Sequence, residues 1–188
     1  YLLVAEKPSR LFAAESILEL LDVDTIETDE NYLDDMLNRF DGGFPTTRLF
    51  SEYARTTVKD EIPSMHPDSL LIKWFEQEEM LFRTLEDHIV SENIKHGYKN
   101  VDEFIRYASG VLNRRKTRAG AALENHLEEL FRIQGLFFSR NKITENKSKP
   151  DFLFPGIKYY KDKNFPERLL SMLGVKTTCK DRWRQILS

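Results

Sequence analysis

The run of residues 149–155, KPDFLFP, restricts the fold more than any other segment of the chain. Two prolines enclose the apolar triplet at 152–154, which predicts a short strand that Asp151 enters. A second strand is predicted at 174–179, and on it Gly174 and Lys176 share one face with Thr178 because side chains alternate. Lys180 follows with the same parity. The pattern therefore predicts that Asp151 and Lys176 meet across adjacent strand ends.

The rest of the chain divides into a mainly helical first half and a second half in which strands and helices alternate. Helices are predicted from Thr46 or Thr47 to about Val58, from Asp68 onward, over 101–113 and over 119–134, where Gly135 ends the helix. Further strands are predicted at 1–5 and 136–138, a short helix at 167–173, and loops at 139–149 and 156–166. This alternation favours an α/β fold with helices on both sides of a sheet.

The charge of the chain is unevenly distributed. The net charge is −3, but residues 1–100 contain 10 basic and 21 acidic side chains, whereas residues 101–188 contain 18 basic and 10 acidic ones. A basic half is typical of a surface that faces a polyanion. The alternative is two solvated surfaces of opposite sign.

Several classes of protein are disfavoured by composition. The single cysteine, Cys179, excludes an internal disulfide and predicts a cytoplasmic protein, and we expect its side chain to be buried and inert. No apolar run reaches the roughly 18 residues that span a membrane, so no membrane partner is predicted. The four histidines lack the spacing of a zinc site, and His126 is expected on an exposed helix face.

Asp151 and Lys176 are residue types that suit phosphodiester hydrolysis. Phosphodiester hydrolysis needs attack by water and neutralisation of charge, which carboxylates holding Mg²⁺ and a nearby lysine can supply. The common nuclease pattern has an acid two positions before the lysine, where this chain has Gly174. The best candidate for the second carboxylate is Glu124, beside the apolar face of the predicted helix 119–134. The alternative is that Glu124 is an ordinary surface acid.

Several segments together resemble the catalytic domain of EcoRII-type restriction endonucleases. They are 113–120 (NRRKTRAG), Leu123-Glu124, 143–145 (ITE), 149–155, 172–173 and 175–187 (VKTTCKDRWRQIL). The resemblance is strong over 101–188 and weaker over 42–100. It implies a restriction-endonuclease-like mixed sheet flanked by helices, Mg²⁺ as cofactor, double-stranded DNA with a short CCWGG-like site as substrate, and a homodimer.

The resemblance also implies a role for individual residues. Asp151 and Glu124 correspond to metal-binding carboxylates and Lys176 to the active-site lysine. The full set of implied catalytic residues is Glu124, Asp151, Tyr160, Lys176 and Lys180. Tyr159 competes with Tyr160 for its position, and the alternative for Tyr160 is packing against Phe165.

A basic cluster directly precedes the predicted helix of Glu124. We expect it to contact DNA, because arginine suits bidentate contact with guanine and both arginine and lysine bind phosphates. Its members are Arg114, Arg115, Lys116 and Arg118. The resemblance favours Arg115 as the residue that reads a base, and the alternative is a solvated charged face.

The resemblance further predicts the domain organisation. Residues 41–188 are expected to form the nuclease domain, truncated at its C-terminal end, and residues 1–40 a strand–helix remnant of an upstream domain or linker. Two other functions stay open at this point. One is a non-cleaving DNA-binding module with a degenerate nuclease fold, and the other is a methylcytosine-dependent nuclease of the same fold.

Overall fold

The structure, a computed structural model, describes residues 32–58 and 66–176. Four helices come first, and they are α1 (Leu33–Arg39), α2 (Thr47–Thr57), α3 (Pro67–His96) and α4 (Val101–Ile133). Strands β1 (Ser139–Arg140), β2 (Phe152–Phe154) and β3 (Ser171–Leu173) follow, with the short helix α5 (Ile157–Tyr160) between β2 and β3. The predicted strand at 1–5, Cys179 and Lys180 lie outside the described residues.

Helix α2 begins where the sequence predicts, and α3 begins one residue before the predicted start at Asp68. The Thr46 side chain accepts a hydrogen bond from the Leu49 N–H at 3.4 Å, which satisfies one of the free N–H groups at the start of α2. Pro67 occupies the first turn of α3, where its missing N–H costs nothing. None of the described helices is both long and apolar enough to cross a membrane.

Helix α4 corrects one prediction. The sequence predicts a helix to about residue 113, a basic connecting segment and a second helix at 119–134, but the structure has one continuous helix, Val101–Ile133. Arginine and lysine are good helix formers, and a single internal Gly120 costs only about 1 kcal/mol relative to alanine. The predicted DNA-binding cluster is therefore helical, and its side chains point in different directions around α4.

The C-terminal end of α4 is confirmed. Gly135 has a φ of 69°, and its N–H donates to the Arg132 carbonyl at 3.0 Å. The N–H of Leu136 donates to the Phe131 carbonyl at 2.9 Å, which completes a Schellman motif. Because this turn reverses the chain, the predicted strand at 136–138 is wrong, and the strand begins at Ser139 instead.

Helices α1, α2 and α3 enclose one apolar core. Met36 of α1 is fully buried against α2 and α3. The buried members of this cluster are Met36, Phe50, Tyr53, Ala54, Leu81, Phe82 and Leu85. Helix α1 therefore shares its core with segments of the predicted nuclease domain, and the assignment of residues 1–40 to an upstream domain or linker stays a prediction.

The three described strands form a small antiparallel sheet in the order β1-β2-β3. Arg140 is paired with Phe152, and Phe152 with Leu173. The Phe131 ring of α4 packs edge-on against Phe152 and Phe154, with centroids 5.2 Å apart in both pairs. This aromatic cluster fixes the sheet against the last turns of α4.

Two further segments differ from their predictions. Residues 167–173 are a 3-10 turn (Glu167–Leu169) followed by β3, not a helix, and residues 174–176 lie beyond the strand. The predicted loop 156–166 contains α5. Among the described residues every strand pairing is antiparallel, so the predicted mixed sheet stays a prediction.

Candidate active site

Asp151 lies at the entrance to β2, as the sequence predicts. Its Oδ2 atom accepts a hydrogen bond from the N–H of Val175 at 2.6 Å, and its backbone carbonyl accepts one from the N–H of Asn141 at 3.0 Å. The first contact holds the chain directly before Lys176, which is exposed. Asp151 therefore lies next to the backbone that leads into Lys176. The two segments are joined by a hydrogen bond from the Val175 backbone to the Asp151 side chain and not by strand pairing.

Glu124 lies on α4 and faces the same end of the sheet. Its Oε2 atom accepts hydrogen bonds from Arg140 Nη2 at 2.9 Å and from Asn141 Nδ2 at 3.3 Å. The side chain is 22% exposed. Asn141 thus contacts both predicted carboxylate residues, Glu124 through its amide and Asp151 through its backbone. Glu124 is not an ordinary surface acid.

The Glu124 and Asp151 side chains offer carboxylate oxygens, the type of ligand that Mg²⁺ prefers. Within residues 32–58 and 66–176, no three His, Cys, Asp or Glu side chains cluster as metal ligands. Mg²⁺ is commonly bound by one or two carboxylates and keeps several waters, so two protein ligands are enough. The hydrogen bonds from described residues use Oε2 of Glu124 and Oδ2 of Asp151, and Oε1 and Oδ1 are left for a further ligand.

A polar network extends from Glu124 into the interior. Arg140 Nη1 donates to Glu128 Oε2 at 2.6 Å and to Asn125 Oδ1 at 2.8 Å. Arg48 and Arg132 also bind Glu128, at 2.6 and 2.5 Å. Burial raises the pKa of Glu128, but the hydrogen bond from Arg140 and the surrounding arginine charges together bring that pKa below its ordinary value of 4.5.

A second buried cluster corrects the prediction for His126. The imidazole is fully buried and not exposed, with Nε2 2.9 Å from Glu78 Oε2 and Nδ1 3.3 Å from an Arg55 nitrogen. The buried face of α4 is therefore partly polar, and its polar members are Arg118, Asn125, His126 and Glu128. Apolar periodicity does not detect such a face, because its partners come from distant segments.

Arg118 belongs to this buried cluster. Its side chain is 7% exposed and forms ion pairs with Glu78, at 3.2 Å, and with Glu79. Its guanidinium also lies 4.2 Å from the centroid of the Phe82 ring. A side chain held in this way does not reach a phosphate, so the structure places Arg118 in the core and not at a DNA surface.

The other three members of the basic cluster differ from one another. Arg115 is partly exposed and binds the buried Glu86 carboxylate through Nε at 2.7 Å and Nη2 at 2.6 Å. The Arg114 guanidinium lies 4.0 Å from the centroid of the Phe44 ring, and Lys116 is exposed. These three side chains remain accessible on one stretch of α4, about two to three turns before Glu124.

The two competing tyrosines are consecutive residues at the end of α5 and differ in burial. Tyr159 is exposed and packs on Phe165, with ring centroids 4.9 Å apart, whereas Tyr160 is half-buried. Tyr159 thus makes the contact with Phe165 that was the alternative for Tyr160. A site role for Tyr160 stays a prediction.

The fold is that of restriction endonucleases. It is similar to the restriction endonuclease PspGI in its complex with substrate DNA, with a TM-score of 0.61 and 21% identity, over 76% of this chain and 59% of that chain. It is also similar to metal-depleted Ecl18kI in complex with uncleaved, modified DNA, with a TM-score of 0.59 and 16% identity, over 85% of this chain and 62% of that chain.

Sequence comparison identifies the family. Residues 82–188 match the family described as EcoRII C terminal, and the chain belongs to this family. It is 48% identical over 147 residues to the type II restriction enzyme EcoRII of Escherichia coli. That match covers 77% of this chain and 36% of the relative, so the chain spans about a third of the relative's length.

Two residues at the site are not among the sequence predictions. Arg140 and Asn141 form the end of β1 and the residue after it, and they bind Glu124 across the chain reversal at Gly135. Asn141 has a φ of 56°, a left-handed conformation that asparagine tolerates better than most residues. In the sequence, the site role of these two residues is indicated only by a polar Arg-Asn pair that follows the aromatic run at 137–138.

Proposed function

We propose that this chain is the catalytic part of a Mg²⁺-dependent type II restriction endonuclease that hydrolyses phosphodiester bonds of duplex DNA at a short CCWGG-like site. The observation that carries the proposal is Asn141, which contacts Glu124 and Asp151 together, with Lys176 directly after the residue that Asp151 binds. Membership in the EcoRII C-terminal family and the similarity to two DNA complexes support this substrate.

Each site residue has a distinct task in this proposal. Glu124 and Asp151 would hold Mg²⁺, which supplies charge neutralisation at the phosphate and a bound water. The Lys176 ammonium, exposed at the same end of the sheet, orients the attacking water and stabilises charge on the phosphoryl oxygens. The water oxygen bonds to phosphorus and loses a proton, and the bond to the leaving sugar oxygen breaks as that oxygen gains one. Tyr160 and Lys180 are proposed to assist at the same site.

The accessible basic residues of α4 are proposed to bind the DNA. Lys116 and Arg114 supply charge that phosphates attract, and Arg115 supplies a guanidinium of the shape that guanine requires. A homodimer would give each subunit one strand of a near-palindromic site, which fits the symmetry of such targets.

Isosteric replacement of Asp151 tests the catalytic proposal. Asp151→Asn keeps an oxygen that can accept the Val175 N–H but removes the charge that the metal needs. We expect Mg²⁺-dependent cleavage of plasmid DNA to fall by at least about 100-fold while DNA binding measured in Ca²⁺ stays close to wild type. Full activity in Asp151→Asn would exclude Asp151 as a ligand.

Two more variants with matched controls test Glu124 and Lys176. Glu124→Gln should lose cleavage, whereas Glu129→Gln, on the same helix but in contact with Arg132, should retain it. Lys176→Met should lose cleavage, whereas Lys158→Met, a second exposed lysine, should not. Equal effects in a variant and its control would indicate a general charge effect.

Gly174 permits a relocation experiment. A Cβ atom at Gly174 meets no atom of residues 32–58 or 66–176 within 4 Å, so the described part of the chain leaves space for a longer side chain there. The double variant Glu124→Ala, Gly174→Glu would place an acid two positions before Lys176, as in the common nuclease pattern. Partial recovery of cleavage relative to Glu124→Ala is expected if Glu124 supplies the carboxylate that Gly174 lacks.

A non-cleaving DNA-binding module is the second candidate function. It is distinguished by the same plasmid assay, because such a protein binds DNA but leaves it intact in Mg²⁺. The structural feature that favours cleavage is the pair of carboxylates, since binding alone gains nothing from two acids at a surface that meets a polyanion.

A further inference from the structure

Arg140 connects the candidate metal site to the protein interior. Its Nη2 atom binds Glu124 Oε2 at 2.9 Å, while its Nη1 atom binds Glu128 Oε2 at 2.6 Å and Asn125 Oδ1 at 2.8 Å. The guanidinium thus joins three side chains from two successive turns of α4. Among the basic residues that the structure describes, Arg140 is the one that contacts Glu124.

The side chains that bind Arg140 are in turn bound by other residues. Glu128 is fixed by Arg48 and Arg132, and Asn125 Nδ2 donates to the Ser51 hydroxyl at 3.1 Å. The Arg140 side chain is only 17% exposed. A planar guanidinium with its two terminal nitrogens engaged in this way cannot rotate without breaking several charged hydrogen bonds.

The backbone of Arg140 is fixed as well. Arg140 is paired with Phe152 in the sheet, and the next residue, Asn141, donates its N–H to the Asp151 carbonyl. One dipeptide therefore positions Glu124 by its side chains and Asp151 by its backbone. The separation of the two carboxylates depends on this dipeptide.

We propose that Arg140 is a positioning residue of the metal site, a role that rests on the proposed function. By holding Oε2 of Glu124 it turns Oε1 toward the metal position beside Asp151. A fixed carboxylate needs no reordering when the ion binds, and partners of this kind typically change metal affinity by about 10–100-fold when they are removed.

Two other roles of Arg140 make different predictions. If the residue only stabilises the fold, its loss lowers stability and leaves metal affinity unchanged. If its positive charge mainly repels the cation, its loss makes metal binding tighter. A direct measurement of metal affinity separates the three roles, because each predicts a different change.

The test compares Arg140→Met with two matched controls, Arg132→Met and Arg48→Met. All three substitutions remove one arginine from Glu128, but only Arg140 also contacts Glu124. Mn²⁺ binding to the free protein without DNA is measured from the loss of the free-ion electron paramagnetic resonance signal. Thermal unfolding is recorded for each variant, and the Mg²⁺ concentration that gives half-maximal plasmid cleavage is determined.

We expect the Mn²⁺ Kd to rise by about 10-fold or more in Arg140→Met and by less than roughly 3-fold in the two controls. The Mg²⁺ requirement for cleavage should rise in parallel. Arg140→Lys, which keeps a charge but has no planar fork, should lie between wild type and Arg140→Met. If Arg140→Met does not fold, the Mn²⁺ affinity of Arg140→Lys tests the proposal instead.

Unchanged or tighter Mn²⁺ binding in Arg140→Met or Arg140→Lys would overturn the proposal, as would an equal loss of affinity in the Arg132 control. If the wild-type protein binds Mn²⁺ and cleaves DNA, and Arg140→Met binds the ion equally well, only the role of Arg140 is excluded. A wild-type protein that neither binds Mn²⁺ nor cleaves DNA removes the proposed function together with this role.

Discussion

Replacement of Arg118 by methionine tests whether this arginine supports the core, where the structure places it, or contacts DNA, as its sequence context suggests. Methionine keeps an unbranched side chain beside Phe82 but removes the positive charge. Glu78, whose side chain is fully buried, then loses the ion pair at 3.2 Å and keeps His126 at 2.9 Å. Glu79, which is 15% exposed, loses its ion pair with Arg118 but keeps the one with Arg83 at 2.8 Å.

The expected loss of stability follows from this burial. Removing one partner of a buried ion pair costs about 3–5 kcal/mol, because the remaining charge is left without compensation. Because Glu78 keeps its contact with His126 at 2.9 Å, the expected value lies at the lower end of this range, at about 3 kcal/mol. Adding Glu78→Gln to Arg118→Met should recover part of this loss, since the buried charge is then absent.

Urea denaturation at pH 7, extrapolated linearly to water, measures the change in the free energy of unfolding. Lys116→Met, an exposed change in the same basic cluster, is the control and should remain within about 0.5 kcal/mol of wild type. DNA affinity as a function of salt concentration supplies the second readout. A change below about 0.5 kcal/mol in Arg118→Met, together with a salt slope reduced by about 0.9, would show that Arg118 contacts a phosphate and refute the buried arrangement.

Three further outcomes are expected. Lys116→Gln should weaken binding to cognate and random duplex equally and reduce the salt slope by about 0.9, as measured by fluorescence anisotropy. Arg115→Ala should cost about 1–3 kcal/mol against the cognate site and little against random duplex at one fixed salt concentration. Because Arg115 also binds Glu86, the comparison is repeated in a Glu86→Gln background, and equal losses on both DNAs would exclude base reading. Glu128→Gln should change the pH dependence of stability. The pKa of Glu128 in the folded protein lies below 4.5, so its stabilising contribution is complete above that pH and is lost as the pH falls through the folded value. The difference in unfolding free energy between wild type and Glu128→Gln should therefore be constant near neutral pH and shrink on acidification, which urea titrations at several pH values measure.

Local rules of the chain predict several elements correctly. Thr46 starts α2, the long helix α3 begins within one residue of the predicted Asp68, and Gly135 ends α4. The strand at 152–154 and the position of Asp151 at its entrance also agree with the prediction. These features depend on caps, proline geometry and glycine conformation, all of which act within a few residues.

Errors arise where distant segments decide the local structure. The sequence predicts two helices around the basic cluster, whereas ion pairs from Arg115 to Glu86 and from Arg118 to Glu78 accompany one continuous helix. The strand predicted from residue 174 is also displaced, since β3 is Ser171–Leu173 and residues 174–176 lie outside it, where Asp151 binds the N–H of Val175.

The residue types of the candidate site can be recognised from the sequence alone, since an acid at a strand entrance and a lysine beyond the next apolar segment are local signals. The sequence by itself determined the family and the position of Asp151, and it predicted Glu124 as the second carboxylate in place of Gly174. Only the tertiary structure decided that Arg140 and Asn141 hold Glu124, that Arg118 and His126 are buried, and that the inner face of α4 is partly charged. The physical reason is that a buried charge is stable only with its partners, and those partners are 16 residues apart for Glu124 and Arg140 and 40 residues apart for Glu78 and Arg118.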